Sequence, residues 1–210
     1  MTKTVVFTIG LLCPGPFVMA QDVAAQESGR GNIPTPEVFG TTVYNAIASN
    51  NYPQLRSVSA LSLDLKEMET IGSDIIKVIE TKLKKGGFVD PEIGHQMLNS
   101  IRKDLGSPKG LANQMKELQR KEPKFKESLN RLRDQIKATG VDWTKAKYLK
   151  TDASNAEQDE DIPLRTGDVF IHFKAAGKEH RIKLNDCAKT PRWGWMLGPE
   201  ELQLDRAGNK

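Results

Sequence analysis

Three histidines, two cysteines and an acidic run from Asp152 to Asp161 are the side chains with the most chemistry to offer in this 210-residue sequence. A metal or an acid–base pair would need several of them on one face. His95 falls in a helical pattern. His172 and His180 sit on either side of an Ala175-Ala176-Gly177-Lys178 turn, flanked by residues that alternate apolar and polar with the period of a half-buried strand. If Ala176-Gly177 is a two-residue loop, Phe173 faces His180, Ile171 faces Ile182 and Val169 faces Leu184. In that register His172 and His180 point to opposite faces, so they share no ligand. A dyad of Cys187 with His180 fails the same parity unless a bulge at Asn185-Asp186 intervenes. His180 then reads as a half-buried wall residue, and Cys187 as a small, partly buried one near a strand end.

The acidic run has no Asp-x-Asp-x-Asp-Gly calcium loop, and no glycine-rich phosphate loop, His-Glu-x-x-His or Gly-x-Ser-x-Gly occurs anywhere. No catalytic residue, cofactor or metal is expected. What remains is aromatic. Trp193 and Trp195 lie on one side of a third strand with Leu197, and together with His180 and Phe173 they are the candidate lining of a pocket between sheet and helices. The competing reading is that they are core, since a tryptophan buries a very large apolar area. Bulk favours a filled interior; an open pocket there of roughly 300 Å³ or more would favour an enzyme.

The elements that must position these residues make an α+β fold, with N-terminal helices (35–140) packed on one face of a curved four-stranded antiparallel sheet (141–205). The expected strands are Val141–Thr151, Arg165–Ala175, Lys178–Asp186 and Arg192–Leu204. Residues 206–210 are a tail. Thr35-Pro36-Glu37 starts the first helix with N-cap, N1 proline and first-turn acid, followed by Val38, Phe39, Val43, Tyr44 and Ile47 at helical spacing. Asn51-Tyr52-Pro53 reads as a turn. Leu61, Leu65, Met68, Ile75, Ile79 and Leu83 mark a second helix ending at Lys84-Lys85 and Gly86-Gly87. Asp90-Pro91-Glu92 starts a third, burying Ile93, Met97, Ile101 and Leu105. Ser107-Pro108 starts a fourth, with Leu111, Met115, Leu118, Phe125, Leu129, Leu132 and Ile136 inward and a kink or break at Pro123.

At the N-terminus a short basic segment, the apolar run Val5–Leu12 and Val18-Met19-Ala20 form the pattern of a secretory signal peptide (1–20) cleaved after Ala20, followed by a flexible linker (21–34). The run is too short to span a bilayer. Lipidation at Cys13 is disfavoured, because Leu12 rather than a small residue precedes it. The exported chain would keep only Cys187 and so no intramolecular disulfide. Its charge is uneven. Lys82–Lys150 holds about twice as many basic as acidic residues, but they are mixed with acids and few aromatics, which is a solvated helix surface rather than a nucleic-acid site.

Thr35-Pro36-Glu37-Val38-Phe39 with Tyr44-Asn45-Ala46-Ile47 and Asn51-Tyr52-Pro53-Gln54-Leu55 resembles the first helix and turn of exported nuclear-transport-factor-2-like proteins. The C-terminal segment from Asp168 to Cys187, with Trp193-Gly194-Trp195-Met196-Leu197, is similar to the terminal meander of small secreted bacterial proteins of that cone-shaped, cystatin-like superfamily. The resemblance implies a cone-like fold and an exported location, periplasmic or extracellular. It carries over no catalytic residue, because the pocket acids and histidines of the superfamily's isomerases and cyclases have no match here. Two functions follow as expectations. The first is a non-enzymatic binding or interaction module for a protein or envelope component, working through the sheet's concavity or the basic helical surface. The alternative is a small-molecule enzyme of isomerase or cyclase type, with its pocket near Trp193, Trp195 and His180.

Overall fold

The computed structural model describes residues 35–88, 90–154, 156–158, 165–190, 194–200 and 202–205. The expected signal peptide, linker and tail, and Trp193, lie outside them. Each helix begins where its cap residue places it. Thr35 Oγ1 accepts from the Val38 amide at 3.3 Å and opens α1 (Pro36–Ala48). Asn51 does the same for Gln54 at 3.0 Å, so the expected turn at Asn51-Tyr52-Pro53 is instead the start of a short helix, α2 (Tyr52–Ser57). The proline that forbids helix before it suits the first turn after it. A 3₁₀ turn, Ala60–Ser62, takes Leu61 out of the second long helix. That helix, α3 (Leu65–Lys84), starts at a capping box in which Asp64 and Glu67 each accept the other's amide, and it leaves Leu65 exposed.

Asp90 and Ser107 cap α4 (Pro91–Asp104) and α5 (Pro108–Ala138) as their sequence predicts. Two expectations there are corrected. Ile93 is exposed, and α4 buries Gly94 and Leu98 beside the expected Ile101. The cause is Gly94, where a Cβ would lie 2.7 Å from Leu83 Cδ2; the missing side chain turns this face of α4 inward. And α5 runs unbroken through Pro123, so of the expected kink or break the break does not occur. An interior proline costs about 3 kcal/mol, which the burial of Leu118, Phe125 and Leu129 on either side offsets.

The antiparallel sheet is curved and ordered β1-β3-β4-β5, with β1 at Lys147–Asp152, β3 at Arg165–Ala175, β4 at Lys178–Thr190 and β5 at Gly194–Met196. Short strands β2 (Ala156–Gln158) and β6 (Gln203–Leu204) pair with β3 and β4. The architecture is the expected α+β one, with helices against a curved antiparallel sheet. Its boundaries differ in three places. Residues 141–146 form a turn around Asp142 and Thr144 rather than a strand; β4 runs on to Thr190; and the expected last strand is split into β5 and β6, both on β4.

The register is the predicted one: Phe173 opposite His180, Ile171 opposite Ile182, Val169 opposite Leu184. Ala176 and Gly177 both have positive φ, 49° and 80°, the geometry of the tight turn that matches strand twist. Helix α1 lies directly on the sheet, while α3 and α4 pack back on α5, which meets β6. Gly40 permits the closest contact: a Cβ there would overlap the Thr151 side chain on β1. Residues of every long helix and of β3, β4 and β5 belong to a single core cluster.

Candidate functional site

Of the four candidate pocket residues three are described, and they do not form one group. Phe173 and His180 stack across β3 and β4, with ring centroids 5.2 Å apart and planes 21° apart. Trp195 stacks on Phe39 of α1 at 6.3 Å, in a different part of the core. Trp193 is outside the described residues. Phe173, His180 and Trp195 are all buried, so His180 is more enclosed than a half-buried wall residue.

Around Phe173 the cluster is completed by residues outside the candidate pocket set, of which the sequence had marked Tyr44 alone, as a core-facing residue of α1. Trp143, from the turn before β1, stacks on Phe173 at 5.4 Å; Tyr44 of α1 lies 5.9 Å from it, and Tyr148 of β1 lies 5.8 Å from Tyr44. Arg133 of α5 closes the group, its guanidinium 5.7 Å from the Trp143 ring. It also donates to the last carbonyls of α1, Ile47 and Ala48, the second at 2.6 Å. That places a cation at the negative end of the α1 dipole. Burial holds the Arg133 pKa below its ordinary value, against the pull of Asp134, and burial raises the Tyr44 phenol. Tyr44 Oη, Trp143 Nε1 and His180 Nδ1 are buried and have no hydrogen-bond partner among the described residues.

Cys187 and His180 make no dyad. A bulge does occur, because Gly167 pairs with Cys187 while Val169 pairs with Leu184, leaving Asn185 and Asp186 opposite Asp168 alone. It returns Cys187 to the buried face, but Cys187 still lies seven positions along β4 from His180, about 20 Å. Cys187 Sγ is fully buried 3.7 Å from the Leu184 carbonyl, and burial, with Asp168 and Asp186 nearby, pushes its thiol pKa far up. A thiol in that state is inert. His172, on the other face, meets Glu179 at 2.7 Å. His95 is exposed on α4. Among the described residues no three His, Cys, Asp or Glu side chains gather as a metal would require, and no helix is long and apolar enough to cross a membrane.

A solvent-open cleft of about 540 Å³ lies elsewhere, between α5 and the loop after β5. Arg120, Lys124, Glu127 and Arg131 line one wall, and their spacing of four, three and four residues puts them on one helix face. Pro199 and Glu200 form the other wall, with Lys121 between and the buried Phe125 below. Lys121 Nζ reaches Glu200 Oε1 at 2.5 Å, joining residues 79 apart in sequence, and Arg120 is held by Glu117 at 2.7 Å.

The loop's position is set by β4. A Cβ on Gly198 would lie 2.7 Å from the Asp186 carbonyl, so only glycine lets the loop seat against the bulge. Asp186 itself is left-handed, φ 52°. Its carboxyl pKa is raised, by partial burial first and then by Glu200 and Asp168, against the pull of Lys121 and Lys183. The residue stays substantially exposed, so this shift is screened by water. None of this cleft was foreseen from sequence beyond the basic bias of the helical segment. No family model, curated protein or solved structure matches the chain.

Proposed function

We propose that this chain is an exported, non-enzymatic interaction module that presents the basic surface of α5 to a protein or other component of the cell envelope. The observation that carries the reading is the contrast between the two candidate regions. Aromatic side chains fill the space between α1 and the sheet, whereas the cleft on α5 is open to solvent and edged by Arg120, Lys124 and Arg131. The signal-like pattern of Met1–Ala20 supports export, and the curved sheet under helices supports placement in the cone-shaped, cystatin-like superfamily.

Co-sedimentation of the chain beginning at Gln21 with a cell-envelope fraction tests this reading. Retention should fall as salt rises. The exposed-residue double variant Arg120→Glu/Lys124→Glu should lose most of it while keeping the wild-type melt. Retention indifferent to the charge reversal would sink the assignment to α5.

One observation favours the enzyme alternative: the carboxyl pKa of Asp186, on the β4 bulge against which the cleft's loop is seated, is raised by partial burial and then by Glu200, which lines the cleft. Such an enzyme would work at α5 rather than near Trp195 and His180. Asp186→Asn would abolish its turnover and leave an interaction module unaffected.

A further inference from the structure

Lys121 is the most confined cation of the cleft, and an acid from the far end of the chain already occupies it. Glu200 sits on its ammonium at 2.5 Å, carried there by a loop that Gly198 seats against the β4 bulge. The ridge beside it, Arg120 to Arg131, spans eleven residue steps, about 16 Å of helix, with Lys124 one turn along from Arg120 and the acid Glu127 between Lys124 and Arg131. The cleft's volume, about 540 Å³, falls inside the range of small-ligand sites, roughly 300–1,000 Å³. Cations set a helical turn apart suit a ligand carrying several anionic groups in series. Phosphates meet the need best, each offering several acceptor oxygens to a guanidinium or ammonium.

We infer that the α5 cleft is a binding site for a ligand bearing two or more phosphate groups, and that Glu200 is a tethered competitor that holds Lys121 until the ligand displaces it. This rests on the interaction reading above and names its ligand class. Displacement follows from simple electrostatics. A carboxylate brings one negative charge to Lys121, whereas a phosphate chain brings more and reaches Arg120 and Lys124 as well. The released Glu200 returns to water on a partly exposed loop at little cost.

The test uses inorganic tripolyphosphate as the soluble probe and vesicles containing cardiolipin, whose headgroup carries two phosphates, as the lipid-borne one, with affinity read by calorimetry and by sedimentation. Glu200→Gln should tighten binding roughly twofold to fivefold, the factor a partly exposed ion pair is worth. Lys124→Gln should weaken it. In a Lys121→Gln background the gain from Glu200→Gln should vanish, a coupling that a merely structural loop would not show. Binding of tripolyphosphate alone assigns the source to a soluble phosphate; binding to vesicles alone, following the same variants, assigns it to headgroups. Either upholds the site. No binding to either probe, or binding indifferent to Glu200, overturns it. Envelope retention that persists without phosphate binding would remove this inference and leave the interaction reading standing; the converse result would do the reverse.

Discussion

The aromatic cluster under α1 and the cleft on α5 are opposites in construction. Around Phe173, four more rings and the Arg133 guanidinium come from α1, α5, the turn before β1 and two strands, and the space is closed by their bulk. At the cleft the side chains are long, charged and partly hydrated, and they meet through ion pairs rather than packing. The residues that resemble a pocket when read along the chain are the ones that fill it. A large aromatic removes space in proportion to the area it offers a ligand. The open site is formed by side chains that resist burial, because desolvating each charge costs more than a surface pair returns.

The sharpest way to break this comparison is to charge the packed side. Ile182 is fully buried opposite Ile171 at the centre of the sheet. Ile182→Asp should therefore unfold the chain, since an unpartnered buried carboxylate costs several kcal/mol. An unchanged thermal melt would mean that the face is not core.

Arg133→Ala comes next in size. It strips the α1 carboxyl end of its charged donor and Trp143 of its cation, a loss of about 1.5–3 kcal/mol for hydrogen bonds from a charged group. Denaturant midpoints would show it, and Arg133→Lys should recover only part, because an ammonium cannot both fork to two carbonyls and lie over the ring.

These two variants also mark how far the sequence could be read. The β3–β4 register was legible because a two-residue turn and a strict period of two leave one solution that buries Val169, Ile171 and Phe173 together. The caps at Thr35, Asp90 and Ser107 were legible because capping is local chemistry. Arg133 was not, because its partners, Ile47 and Ala48, lie more than eighty residues away and are backbone atoms that no pattern marks. Trp143 was absorbed into an expected strand that starts only at Lys147. Ile93 misled for a different reason. Which face of α4 turns inward depends on where Gly94 lets α3 approach, and an apolar stripe does not record that. The cleft needed Lys121 and Glu200 in one place, and charge counting along one segment cannot bring them together.

A smaller, opposite effect is expected at the hairpin. Ala176 is held at φ 49°, a region in which an alanine Cβ is crowded and asparagine is more at ease. Ala176→Asn should stabilise the chain by about 0.5–1 kcal/mol, seen as a higher melting temperature with no change in either candidate region. A lower melting temperature would show that the turn is not set by Ala176.

The smallest expected effect lies on the cleft side and depends on pH. Two features of position 186 favour asparagine over a charged aspartate. Partial burial and the carboxylates of Glu200 and Asp168 raise its pKa in the folded state, and its left-handed backbone suits asparagine at least as well as aspartate. The sign follows from linkage. A carboxyl whose folded pKa is raised binds its proton more tightly when folded, so its contribution is fully present below the unfolded value, near 4, and is lost as pH rises through the folded value. At neutral pH the charged Asp186 is therefore a mild liability, and Asp186→Asn should raise the melting temperature slightly. The gain should shrink toward zero as the pH falls below about 4, where aspartate is already neutral. In the Glu200→Gln background it should shrink at neutral pH too, because one of the carboxylates that raises Asp186 has gone. Melts of the two single variants and the double at pH 7 and pH 3.5 measure both differences. A gain equal at the two pH values would assign the effect to the backbone alone, and would separate Asp186 from the electrostatics of the cleft.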